Sequence, residues 1–233
     1  LYDQQVSELA EASYIAVVYD DLPQSLVDGF VAAEDARFFT HKGVDGPRTI
    51  NAVITNEILK QVTSGGSTIT QQLIKVTSLR NKILTDDDYK SSNERKIHEW
   101  ILSYQLEQQM SKEDIFTAYL NTLGYGRLTG VGTAAKHYFN KNISELTVAE
   151  ATLLAGIPQA STANNPYGNM DSATARYHTV IDLLVLHNFT SEEEAKALKS
   201  IPLADLLLTN QDEFTNQNYA YYSAVEQELN EIF

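Results

Sequence analysis

A helical row of apolar side chains, broken by one carboxylate, is the feature that most limits what this chain can become. Val27, Phe30, Val31, Glu34, Phe38 and His41 recur at helical spacing. That spacing predicts one helix face from the Leu22-Pro23 start to Gly43, with Gly43 as the C-terminal stop. Glu34 interrupts the row. A carboxylate there is paired, exposed at the rim of a cleft, or partly desolvated so that its proton affinity rises toward neutral pH, and a general base needs the third state. The structural alternative is a surface ion pair of Glu34 or Asp35 with Arg37 or Lys42, and for His41 a cap or core position near a helix end.

The rest of the chain continues in helical periods. Residues 1–20 read as an extended lead-in, and Asp20-Asp21-Leu22-Pro23 as an acidic helix start. Val53, Ile54, Ile58 and Val62 predict a helix over 50–62. A cap at Ser91 or Ser92 opens a helix to about Gln109, with Ile97, Trp100, Ile101 and Tyr104 as its buried stripe. Arg95, Glu99, Leu102 and Leu106 form a second row, so Glu99 is another carboxylate among apolar neighbours, with an ion pair to Arg95 as the alternative reading. Ser111-Lys112-Glu113-Asp114 and Thr147-Val148-Ala149-Glu150 look like capping boxes, the second making Glu150 structural. Further helices are predicted over 133–139, 173–187 and 191–198, a loop over 200–218, and an amphipathic end over 219–233. The expected fold class is all-α.

Charge narrows the function classes. The formal net charge of −14 argues against a nucleic-acid partner, which would require a basic footprint. Yet no acidic residue lies between Ile58 and Thr85, where Lys60, Lys75, Arg80 and Lys82 all fall. Such a local reversal suits a bound anion, with a solvated basic face as the alternative. With no cysteine, neither a disulfide nor a thiolate metal site is available. No run reaches the roughly 18 apolar residues of a membrane span. The first residue, Leu1, suggests a piece of a longer protein. Within the basic segment, Ser64-Gly65-Gly66-Ser67-Thr68-Ile69-Thr70-Gln71-Gln72-Leu73 offers two glycines and a run of uncharged donors at a helix start. It lacks the Lys-Ser/Thr of a P-loop, and Ser67 or Thr68 also reads as an ordinary N-cap.

Five stretches, taken in order, resemble the peptidoglycan glycosyltransferase domain of class A penicillin-binding proteins. Glu34, Asp35, Phe38, His41 and Gly43 match Glu-Asp-x-x-Phe-x-x-His-x-Gly; Gly65 to Gln72 match Gly-Gly-Ser-Thr-Ile-Thr-Gln-Gln, followed by Lys75. Arg95, Lys96 and Glu99 match Arg-Lys-x-x-Glu, and Tyr119, Leu120, Asn121 and Gly126 match Tyr-Leu-Asn followed by Gly. Gly130, Val131, Ala134, Ala135, Tyr138 and Phe139 match the fifth. The resemblance spans about residues 20–200. It departs at Asn51-Ala52 and Val76, which touch individual substrate contacts, and at Asn140, where Asn tolerates the left-handed conformation that the family's Gly would adopt.

The resemblance implies a lysozyme-like helical lobe of a domain over 21–200, with a small membrane-proximal jaw lobe at about 45–90. Residues 1–20 would lead in from an absent membrane anchor, and 201–233 would link to an absent transpeptidase. The implied reaction polymerises lipid II, inverting at the sugar carbon and releasing undecaprenyl pyrophosphate. Glu34 would be the base and Glu99 would assist the leaving group. Asp35, Phe38, His41, Gly66, Ser67, Thr68, Gln71, Gln72, Lys75, Arg80, Arg95, Lys96 and Asn121 would bind substrate. A divalent cation (Mg or Mn) could accompany the pyrophosphate without a fixed protein site, and no organic cofactor is implied. The implied partners are lipid II, the growing glycan strand, the membrane surface, the cell-wall synthesis machinery and moenomycin-type inhibitors, at the extracytoplasmic face of the bacterial cytoplasmic membrane. Ile58, Leu59, Val62, Ile69, Leu73 and Ile74 would help the small lobe touch the bilayer, with core as the alternative for some. The competing readings are a lysozyme-like hydrolase or lytic transglycosylase, and a non-catalytic scaffold of the same fold.

Overall fold

A computed structural model describes residues 14–47, 66–91 and 93–208. The predicted helix over 50–62, Gly65 and the end over 219–233 lie outside those residues. In chain order the helices are α1 (Gln24–Glu34), α2 (Ile69–Val76), α3 (Arg80–Thr85), α4 (Asp87–Ser91), α5 (Asn93–Leu106) and α6 (Lys112–Thr122). After a two-residue hairpin, β1 (Gly124–Tyr125) with β2 (Leu128–Thr129), come α7 (Val131–Phe139), α8 (Val148–Gly156), α9 (Met170–Leu186) and α10 (Glu192–Lys199). The fold is all-α apart from that hairpin.

Helix α8 is apolar on every side and buried from Ala149 to Gly156, the mark of a central helix. Helices α1 and α9 pack on it and on each other. Gly29 lets α1 approach closely, since a Cβ there would lie 3.2 Å from Ala155 Cβ. Leu26, Val27, Phe30 and Val31 bury the inner face of α1, and Phe30 meets Phe116 and Tyr119 of α6 edge to face. Helix α2 packs against α5 and α6, which connects the basic segment to this core.

The capping signals hold locally. Thr68, Thr147 and Ser191 each close a capping box, with Gln71, Glu150 and Glu194, and Ser111 accepts from Asp114 N–H. Asn140 ends α7 in the left-handed conformation, φ 53°. Residues 14–18 of the lead-in take neither helix nor strand, and Val18 has an extended backbone (φ −116°, ψ 155°).

Four expectations are corrected. The helix that carries Glu34 does not run to Gly43: it stops at Glu34, because Asp35 turns out of helical geometry (φ −160°, ψ 76°) to point its carboxylate at the start of α2. The stripe of α5 faces out, with Ile97, Trp100, Ile101 and Tyr104 between 40% and 53% exposed, while Glu99 and Ser103 are buried. Ile69, Leu73 and Ile74 are core rather than bilayer-facing, because the inner face of α2 packs on α5 and α6. Finally, the expected linker begins as part of the body: Leu203 and Leu207 are buried, and Leu208 N–H donates to Tyr138 O at 3.0 Å.

Candidate active site

Glu34 is the last residue of α1, and its side chain is only 16% exposed. Gln72 Nε2, on α2, donates to Glu34 Oε2 at 2.9 Å, and Tyr119 Oη, on α6, donates to Gln72 Oε1 at 3.4 Å. Burial first, then the charge of Glu34, hold the Tyr119 phenol well above its ordinary value. Tyr119 therefore remains a donor, and donation to Oε1 turns the amide NH2 of Gln72 toward the carboxylate. On the other side Arg176 Nη2, on α9, lies 3.8 Å from Glu34 Oε1.

Behind Glu34 is a buried polar brace. Asp35, fully buried, accepts from Ile69 N–H at 3.0 Å and pairs with His41 Nε2 at 2.8 Å. The other ring nitrogen of His41 is 4.0 Å from Glu107, whose Oε1 also accepts from Thr70 Oγ1 at 2.6 Å and Lys112 Nζ at 2.8 Å. Lys112 in turn sits over the buried Phe38 ring, 4.3 Å from its centroid. Asp35, Phe38 and His41 were expected to bind substrate. The structure places them inside, with Asp35 Oδ2 meeting both the Ile69 N–H and His41 and so tying the end of α1 to the first turn of α2, because a buried carboxylate needs donors.

The second carboxylate, Glu99, is 1% exposed. Arg95 Nη1 engages one oxygen, and Lys96 Nζ donates to the other at 2.7 Å and to Ser67 Oγ at 2.8 Å. Both carboxylates thus reach the same segment, Glu34 at Gln72 of α2 and Glu99 through Lys96 at Ser67 just before that helix. Both oxygens of Glu99 are occupied, so the role its contacts support is to fix two cations. Among the described residues no group of three or more His, Asp or Glu side chains could hold a metal ion. With two cations on Glu99, a resident divalent cation does not fit there.

The remaining expected residues separate into two kinds. Thr68 and Gln71 are buried as the cap of α2, and Thr68 Oγ1 donates to Gly43 O at 2.6 Å, so both are committed to the fold. Asn121 is also a structural residue: its amide accepts from Val17 N–H at 2.9 Å and donates to Val17 O at 3.0 Å, pinning the lead-in. Among the described residues that lead-in has no strand partner for its backbone, and a side-chain amide serves as one. Gly66 and Ser67 are half-buried just before α2, Lys75 is exposed in its last turn, and Arg80 is exposed at the start of α3. Lys75 follows Gln72 by three residues and so adjoins its face of the helix.

Sequence reasoning missed Arg176 and the Glu107–Lys112 pair. Arg176 carried the signal that marked Glu34, a charge at the inner edge of an apolar row, here Ala173, Tyr177, Val180 and Ile181. Glu107 gave none, because what buries it is Thr70 and Lys112 rather than its neighbours in sequence.

Among the described residues no helix is long and apolar enough to cross a membrane. A penicillin-binding protein 1A/1B of Bacillus subtilis is 35% identical over the whole chain, which corresponds to 25% of that protein. A penicillin-binding protein 1A of Neisseria flavescens is 41% identical over 77% of the chain and 22% of that protein. The chain thus spans about a quarter of the length of the curated relatives it matches. In a crystal structure of penicillin-binding protein 1A from Haemophilus influenzae, 18% of that chain aligns with 82% of this one at 21% identity and a TM-score of 0.45. Residues 3–185 match the transglycosylase family; the chain belongs to that family and carries its glycosyltransferase domain.

Proposed function

We propose that this domain polymerises lipid II into peptidoglycan glycan strands, with inversion at the sugar carbon and release of undecaprenyl pyrophosphate. The observation that carries the reading is Glu34, a largely shielded carboxylate at a helix end, aimed by an amide and flanked by a guanidinium. Its carboxylate would take the proton of the acceptor 4-hydroxyl as that oxygen bonds to the donor's anomeric carbon, and the carbon–oxygen bond to pyrophosphate would break with its electron pair going to the pyrophosphate. Charge would then gather on the leaving group. Cations already fixed nearby stabilise that transition state more than the ground state, which is the part for Arg95 and Lys96, held by Glu99, with Lys75 and Arg80 as exposed reserves. Ser67 and Gly66 lie where a phosphate could approach the backbone.

The substrate's lipid implies a membrane surface. The outward row of α5, with Trp100 and Tyr104 one turn apart beside exposed Ile97 and Ile101, has the aromatic and apolar composition of an interfacial contact. The parent protein would work at the extracytoplasmic face with the cell-wall machinery, and moenomycin-type phosphoglycolipids would compete for the site.

Incubating the protein and Glu34→Gln with lipid II, and separately with finished glycan, tests the reading. Polymer from lipid II that disappears in Glu34→Gln, with the thermal melt unchanged, is the expected result. An undiminished rate would remove Glu34 from the mechanism, and fragments released from finished glycan would favour a hydrolase or lytic transglycosylase.

A further inference from the structure

Arg176 belongs to none of the stretches that drew attention to the site, yet it approaches Glu34 from the side opposite Gln72. Its side chain is 13% exposed, on the inner edge of α9. Its Nε donates to Gly156 O at 3.3 Å, one of the carbonyls left open at the end of α8. That bond fixes the guanidinium plane, and Nη2 is left 3.8 Å from Glu34 Oε1. The fit behind it is close: a Cβ on Gly156 would lie 3.2 Å from Arg176 Cγ. Burial lowers the proton affinity of Arg176, and the charge of Glu34 opposes that. A guanidinium kept out of water needs a compensating partner, and the carboxylate supplies it.

We propose that Arg176 is a positioning residue for the reaction assigned to Glu34: it holds that carboxylate ionised and aimed, although it touches no substrate itself. The inference rests on the proposed role of Glu34. The other described contacts of Glu34 given above do not duplicate the charge. Gln72 from α2 and Tyr119 from α6 are neutral, and Asp35 is paired with His41 in the brace. Helix α8 carries one ionisable residue, Glu150, at its far end and paired with Lys141. Of the other ionisable groups of α9, buried Tyr177 is held neutral by burial, which pushes its phenol up to about 12, and Asp171, His178 and Asp182 do not share Arg176's inner edge; Lys75 of α2 is exposed. Without Arg176, the negative form of Glu34 would lose the nearest described positive charge, and the pH needed to ionise it would rise.

The test is a carbon-13 titration of the side-chain carboxyls of the whole domain, with the Glu34 signal assigned by its loss in Glu34→Gln. Arg176→Gln and the isosteric apolar Arg176→Met are compared with wild type, so that one failure to fold leaves the other. Either neutral variant should move the Glu34 midpoint upward by roughly one unit or more, and Arg176→Lys, which keeps the charge, by less. Where lipid II turnover is measurable, the acid limb of kcat/KM should move with the midpoint, the rate recovering at higher pH and KM changing little. A midpoint that stays in place in the neutral variants, or a rate loss equal at every pH, overturns the proposal. Failure of wild type to use lipid II would sink the reaction assignment instead, while the titration would still decide the role of Arg176.

Discussion

Gly43→Ala is the substitution whose cost follows most directly from the coordinates. Gly43 has φ +82°, and a Cβ built on it would lie 2.6 Å from Ser103 C and O and 2.8 Å from Tyr104 N. All three are backbone atoms of α5, so no flexible side-chain end can swing aside. The left-handed conformation costs an alanine about 1–2 kcal/mol. Forcing a methyl into closed packing costs about 1–3 kcal/mol more, and together these are a large share of a typical domain stability of roughly 5–15 kcal/mol. Function should fall as well, because Gly43 O holds the Thr68 hydroxyl that caps α2, and α2 carries Gln72 to Glu34. The control is Gly46→Ala, three residues on, where nothing lies within 4 Å and no positive φ is required. Urea unfolding of the three proteins, with m-values compared, should give a midpoint far below wild type for Gly43→Ala and at or slightly above it for Gly46→Ala. Coincident curves for the two variants would refute the claim that this glycine seats the loop on α5.

Two other outcomes are expected. Trp100→Ser with Tyr104→Ser should weaken binding to anionic vesicles about tenfold or more, since withdrawing roughly 1.4 kcal/mol of apolar contact is enough for that; unchanged vesicle binding would remove this face from the membrane reading. Burial pushes the Glu150 carboxyl up, but Lys141 and the Thr147 N–H and hydroxyl pull it further down, to a net value below its ordinary 4.5. Its contribution is therefore present above about pH 4.5 and lost as pH falls through the lower native value, so Glu150→Gln should be less stable than wild type at pH 7 and the gap should narrow as the pH is lowered below 4.5. A stability gap that stays the same as the pH is lowered would show that the ion pair does not matter.

What the sequence made legible was local. A cap and its box lie within three residues, so Thr68 with Gln71, Thr147 with Glu150 and Ser191 with Glu194 could be read without knowing what packs on them. Glu34 was legible because the apolar spacing of α1 holds up to its last residue. The end of that helix was not, since what turns Asp35 away is the Ile69 N–H, on a different helix 34 residues further along the chain.

Helix α5 shows the same limit from the other side. It has two candidate rows, and hydropathy favours burying Ile97, Trp100, Ile101 and Tyr104. The structure buries Glu99 and Ser103 instead, because that row carries what its neighbours require: a carboxylate that holds Arg95 and Lys96, and a stretch of backbone on which Gly43 can lie. A buried carboxylate with two cationic partners has the donors that burial demands, whereas an apolar row loses the benefit of burial wherever it stays in water. That loss is tolerable where another apolar phase covers the row, and a lipid-linked substrate would bring such a phase to this surface. The reversed helix, which periodicity alone misassigns, would on the proposed function be the most functional piece of the fold: one face would fix cations for a leaving pyrophosphate while the opposite face would rest on the membrane that delivers it.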